Sequence, residues 1–293
     1  MIRFDYFEPQ SIAEACGLLD KHGDEARLIA GGTALLIMMR LRVLNPRVVV
    51  SLGKVPDFDA IRFDAKNGLT IGAGARHRDI ELHATVREHY PLLHETFQKV
   101  AQPRIRNMAT IGGNLCQGDP LTDPGASLMA LDASVVLRSS KGERTIPLDE
   151  FFIDYYQTTA EPGEIMTEIR VPPPVKNLRW AHIKFLPRSL EDFATIGVAL
   201  ALRTTGGRCE DIRLALNSAA PTIFRAKKAE AILRGQKITD KLIADMAESA
   251  AADCDPIDDN RGSPEYKREM VRVLVRRAAA QATASTPAGN ALT

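Results

Sequence analysis

Two short stretches pair glycines with neighbouring groups that can hold an anion. Residues 28–36 read LIAGGTALL, and residues 109–120 read ATIGGNLCQGDP. Glycine has no Cβ, so backbone N–H groups beside it approach a ligand closely. Successive N–H groups form an anion-binding nest, and a helix that follows adds the positive end of its dipole. Gly31-Gly32-Thr33 runs into helix formers from Ala34 to Leu41 and meets both conditions. Gly112-Gly113-Asn114 supplies a second nest. Two nests facing each other suit a pyrophosphate. The same residues also suit ordinary tight turns. Neither stretch is a G-x-G-x-x-G fingerprint or a G-x-x-x-x-G-K-[ST] phosphate loop.

Other chemistry is thinly spread. Cys16, Cys116, Cys209 and Cys254 lie far apart without a CxxC pair, so neither zinc nor an iron–sulfur cluster is indicated within this chain. Cys116 reads as a small packing residue rather than a redox thiol. Asp119 and Asp123 are too sparse a pair for a metal. His77, His83, His89 and His94 lack ligand spacing and read as surface or capping residues. Tyr155 and Tyr156 receive no role. A net charge of +1 over 293 residues gives no support for a nucleic-acid groove. The start, MIRFDYFEPQ, is not a signal peptide, and no apolar run approaches membrane-spanning length. A cytoplasmic chain with reduced thiols is the expectation.

The elements that must position these residues can be read locally. Ser11 and Glu14 form a capping box before an apolar stripe that should stop near Gly23. Residues 27–30 and 47–52 read as strands around the helix from Ala34. Asn67-Gly68 signals a hairpin, residues 79–100 are mostly helical, and residues 134–148 give another hairpin. The run Pro172-Pro173-Pro174 is extended. Residues 180–185, 195–203 and 209–217 read as three strands, and the chain turns helical after Pro221. The expected division is 1–54, 55–174 and 175–280, with a flexible tail over 281–293. The fold class is α+β.

The stretches at 28–36 and 103–123 (PRIRNMATIGGNLCQGDPLTD) resemble the FAD-binding subunit of the molybdenum hydroxylases. That family includes xanthine dehydrogenase and aerobic carbon monoxide dehydrogenase. The resemblance continues through FFIDYYQTTAEPGEIMTEIRVPPP, KFLPRSLEDFATIGVAL, SAAPTIFRAKKAEAILRG and RGSPEYKREMVRVLVRRA, and so covers nearly the whole chain. It implies a two-subdomain FAD-binding fold of the xanthine dehydrogenase/vanillyl-alcohol-oxidase type, followed by a three-stranded antiparallel sheet with helices. It implies that Leu28, Ile29, Ala30, Gly31, Gly32, Thr33, Ala34 and Leu35 wrap one side of the FAD pyrophosphate. Thr110, Ile111, Gly112, Gly113 and Asn114 match the other cofactor segment. Asp123 matches an acid on the ribityl hydroxyls; its own surroundings also suit a solvated turn residue. Met166 matches an apolar residue at the flavin. Lys184 matches a lysine near the isoalloxazine carbonyls, where a cation stabilises a reduced ring, and otherwise reads as a surface lysine.

The implied role is electron transfer, with no catalytic residue in this chain. Electrons come from a small iron–sulfur subunit carrying [2Fe-2S] clusters, while a large subunit holds the molybdenum cofactor, in a dimer of heterotrimers. The cysteine-rich insert that some members of the family carry is absent. The loop Pro187 to Asp192 is less basic than the eukaryotic nicotinamide-binding pattern, which puts NAD as acceptor in doubt. The rival readings are a stand-alone FAD oxidase and a scaffolding subunit without flavin.

Overall fold

The structure, a computed structural model, describes residues 2–189 and 192–284. Its first unit holds β1 (Asp5–Phe7), α1 (Ile12–His22), β2 (Ala26–Ile29), α2 (Leu35–Arg40) and β3 (Val48–Ser51). The strands form a parallel sheet in the order β1-β3-β2. The Ser11 hydroxyl accepts from Glu14 N, and Glu14 reaches back to Gln10 N. Helix α1 ends at Gly23, whose φ of 50° favours glycine.

The second unit carries β4 (Ile61–Asp64), β5 (Gly68–Gly72), α3 (His77–Leu82), α4 (Ala84–His89), α5 (Pro91–Lys99), α6 (Pro103–Arg106), α7 (Ile111–Cys116) and α8 (Asp123–Ala130). Then follow β6 (Ser134–Ser139), β7 (Gly142–Pro147), β8 (Phe152–Asp154), β9 (Gln157–Thr158) and β10 (Ile165–Val171). Five strands pair antiparallel in the order β4-β5-β10-β6-β7. The hairpin at Asn67 forms because the Asp64 carboxylate accepts from Lys66 N and Asn67 N. The second glycine pair is not a turn. Gly112 and Gly113 lie in the first turn of α7, capped by the Thr110 side chain, which accepts from Gly113 N. A capping hydroxyl and tertiary packing outweigh glycine's poor helix propensity here.

The third part holds β11 (Arg179–Phe185), β12 (Ile196–Thr205), β13 (Arg208–Asn217), β14 (Phe224–Arg225), α9 (Lys227–Leu233), α10 (Asp240–Ala252) and α11 (Pro264–Ala284). The expected three strands are present, and β14 adds a fourth at the edge of the antiparallel sheet. Phe224 and Arg225, expected in a helix, pair with β13, and the helix begins at Lys227. Gly206 and Gly207 both take positive φ in the β12–β13 turn, as a type I′ hairpin requires. Along β12 the side chains alternate: Val198, Leu200 and Leu202 join the core under the helices, while Ala199 and Ala201 join the core of the preceding units. This sheet therefore seals both cores. Helix α11 continues past Gln281 to Ala284, with Ala282 buried; the remaining tail, 285–293, lies outside the described residues.

Candidate functional site

A cleft of about 1080 Å³ is lined by all three parts of the chain, at the top of the usual range for a small-molecule or cofactor site. Every residue from Leu28 to Leu35 contributes, as do Thr110, Gly112, Gly113, Asn114, Asp123, Met166 and Lys184. Fifteen of the sixteen residues expected from the sequence thus share one cavity. Ile111 does not; its side chain is fully buried in the core.

The two glycine segments, about eighty residues apart in sequence, touch. A Cβ on Gly31 would collide with the Met108 carbonyl, and a Cβ on Gly112 would stand 2.6 Å from the Ala73 Cβ. These two glycines admit neighbouring protein backbone rather than a ligand. The N–H groups divide accordingly. Ile111 N donates to Ala75 O, Gly112 N to Ala73 O, Gly113 N to Thr110 Oγ1, and Asn114 N to Thr110 O. The expected second nest is therefore already occupied by the protein. The first is open: among the described residues, no backbone N–H from Gly31 to Leu35 meets an acceptor. Five consecutive free donors at a cleft wall call for an anionic or acceptor-rich ligand.

Asp123 is buried, not a solvated turn residue. It opens α8, and its Oδ2 lies 2.9 Å from Lys184 Nζ on β11, itself just 3% exposed. Burial pushes the Asp123 carboxyl up, and Lys184 opposes the push. Its Oδ1 has no donor at hydrogen-bond distance, although the Asn217 amide also favours the charged form. Lys184 is not a surface lysine, and its charge is paired with Asp123. Its Nζ also donates to Lys99 O, while Lys99 Nζ donates to His182 O. The cleft thus presents a neutralised pair.

Some residues that shape the site were not legible. His77, expected at the surface, is 1% exposed, packs against Phe97 and lines the cleft. Burial, helped by Arg106, holds its pKa down to about 4. Arg106 bonds Glu81 at 2.8 Å and also donates to Val100 O and Ala101 O. That fixes the cleft wall at residues 100–102, where Ala101 takes a φ of 43°. Arg106 lies inside the PRIRN stretch, which gave no sign that its charge faces inward. Cys116 is exposed on the cleft wall rather than packed. From the loop after β11, Asp192 and Phe193 reach the cleft; Leu190 and Glu191 lie outside the described residues. Among the described residues no cluster of His, Cys, Asp and Glu could hold a metal ion, and no helix is long and apolar enough to cross a membrane.

Residues 2–174 match the family model described as the FAD binding domain in molybdopterin dehydrogenase, and residues 181–282 match the CO dehydrogenase flavoprotein C-terminal domain. The chain belongs to the FAD-binding medium subunits of the molybdenum-containing dehydrogenases. It is similar to the carbon monoxide dehydrogenase medium chain of Hydrogenophaga pseudoflava, at 38% identity over 94% of this chain and 96% of the relative. The glyceraldehyde dehydrogenase medium chain of Sulfolobus acidocaldarius is 34% identical over 94% and 96%. A solved carbon monoxide dehydrogenase from Hydrogenophaga pseudoflava, lacking the Mo-pyranopterin moiety, superposes with a TM-score of 0.94 at 40% identity, covering 97% of this chain and 99% of that one. The protein is thus an oxidoreductase subunit whose cofactor is FAD, and the cleft fits it. The open donors of Gly31 to Leu35 suit a pyrophosphate. Gly113 leaves space beside it, since a Cβ there would meet only Thr110 Oγ1, at 2.9 Å.

Proposed function

We propose that this chain is the electron-transfer subunit of a heterotrimeric molybdenum hydroxylase. It takes electrons from an iron–sulfur subunit and passes them to an external acceptor such as a quinone, oxygen or a carrier. Bound FAD supplies the redox chemistry, and the protein supplies binding, orientation and electrostatics. Leu28 to Leu35 would hold the pyrophosphate through the open donors. Thr110, Gly113 and Asn114 would form the opposite wall. Met166 would pack against the cofactor, and Asp123 with Lys184 would give it a buried polar contact. The molybdenum cofactor would sit in a large partner subunit, and the assembly would be a cytoplasmic dimer of heterotrimers. The same reading divides the chain near residues 54 and 174; the separate core under α9, α10 and α11 supports the second cut.

The observation that carries the relay reading is the pairing of Asp123 with Lys184. A stand-alone oxidase needs a substrate pocket and often uses a base beside the flavin. The buried carboxylate here is bound to a lysine, and His77, at about 4, is a weak base. Relatives of similar identity are named for carbon monoxide and for glyceraldehyde, which supports placing substrate choice outside this subunit. Stopped-flow measurement of flavin reduction tests the reading. Reduction should be rapid with a reduced iron–sulfur partner and negligible with organic substrates alone. Rapid reduction of the isolated subunit by an organic substrate would establish the stand-alone oxidase instead.

A further inference from the structure

Six of the fourteen large apolar side chains exposed among the described residues fall in two short stretches, 36–43 and 105–108. They are Leu36, Ile37, Leu41, Val43, Ile105 and Met108. Leu41 and Val43 are 71% and 68% exposed, far more than residues held by their own core. The two stretches meet at one cleft wall: Gly31, five residues before Leu36, abuts the Met108 carbonyl, and Ile37 and Ile105 line the same cavity. Ile37, Met38 and Ile105 also line the cofactor cleft, so this apolar ground extends from its rim. Clustered exposed apolar surface marks an interaction site, whereas scattered residues do not.

The charge on this ground has one sign. Residues 35–47 carry Arg40, Arg42 and Arg47, residues 103–108 carry Arg104 and the buried Arg106, and neither stretch contains an acid. Arg47 pairs with Glu25 and Arg106 with Glu81. Arg40, Arg42 and Arg104 form no ion pair among the described residues. A second copy of this face would bring like charges together, which disfavours self-association. An acidic partner with an apolar centre fits it.

We propose that the face built from 36–43 and 105–108 is the docking surface for the chain that donates electrons to the flavin, a protein acidic at its contact. This rests on the relay reading above, in which that donor is the iron–sulfur subunit. The position explains the chemistry: a donor seated at the rim of the cleft comes close to the cofactor bound in it.

Leu41→Glu with Val43→Glu, and separately Arg40→Glu with Arg42→Glu, change exposed side chains outside the cleft lining and leave the cleft donors in place. Each double variant is co-expressed with the iron–sulfur and molybdenum subunits, and the complex is analysed by gel filtration, with flavin absorbance read on the same fractions. We expect flavin content per chain to hold while recovery of the iron–sulfur subunit falls at least about tenfold, as loss of central interface residues does. Wild-type association should also weaken as salt rises. Full retention of the iron–sulfur subunit in both variants overturns the proposal. So does binding of anionic phosphatidylglycerol vesicles, or a self-dimer, that the variants abolish while the complex stays intact. Flavin content judges the cofactor reading separately. A colourless complex that still sheds its iron–sulfur subunit in the variants sinks that reading and sustains the docking face.

Discussion

Lys184 Nζ on β11 lies 2.9 Å from Asp123 Oδ2 at the start of α8, with both side chains almost wholly out of water. The pair joins the second unit to the C-terminal sheet at the cofactor cleft. Removing one member strands the other charge, which typically costs about 3–5 kcal/mol. Lys184→Met and Asp123→Asn should each lose stability on that scale in urea titrations of flavin-free protein. The double variant should lose less than the sum, because no lone charge is left. Additive losses would mean that the two groups act independently.

The glycines separate by what they face. Gly113→Val should purify folded but pale, because its side chain points at cleft space with little beyond Thr110 Oγ1 nearby. Gly112→Val should fail to fold well, because it drives carbon into Ala73. Absorbance at the flavin band against protein, together with thermal melts, distinguishes them. A fully yellow Gly113→Val protein would remove Gly113 from the cofactor site.

Stability should fall on acidification below neutrality. His77 and His182 ordinarily titrate at 6.5, and burial holds them at about 4 and about 3; Arg106 adds to this at His77, and Lys99 and Lys184 add to it at His182. Below pH 6.5 the unfolded chain takes up protons that the folded chain refuses. Their contribution is therefore complete above pH 6.5 and shrinks as the pH drops. At pH 5 each histidine should have removed about 2 kcal/mol. Urea midpoints between pH 7 and 5 measure the slope, and His182→Gln should flatten it.

Arg106→Lys keeps the charge but loses the fork that serves Glu81, Val100 O and Ala101 O together. It should cost about 2–3 kcal/mol, the scale for hydrogen bonds to a charged group. FAD binding should weaken as the wall at residues 100–102 loosens. Isothermal titration of flavin-free protein with FAD checks this, and an unchanged dissociation constant would leave Arg106 a purely structural residue.

Local signals carried much of the fold. The S-x-x-E box, Gly23 and Asn67-Gly68 each dictate backbone within a few residues, and each forms as read. The cleft residues were legible through several long motifs in one order. What stayed hidden depends on distant packing. Gly112-Gly113 looked like a turn because glycine disfavours helix; the contact with Ala73 is invisible in sequence. His77 looked exposed because its burial depends on Phe97 in another helix. Asp123 and Lys184 were each assigned to the cofactor, but nothing in their local sequence shows that they meet. Strand β14 is two residues long, too short for any alternation to register.

Lys99 and Lys184 each hold a main-chain carbonyl on the other's side, Lys99 on His182 and Lys184 on Lys99. This stitch runs through backbone, so it makes the colour of the protein a gauge of its architecture. Heat that parts β11 from α5 would open the cleft while both cores are still intact, and flavin fluorescence would rise as FAD escapes, before the circular dichroism changed. A fragment ending at the proline run would keep the open donors of Gly31 to Leu35 yet lack Lys184, leaving Asp123 as an uncompensated charge under the cofactor. Yellow protein is therefore protein whose last third has folded and closed.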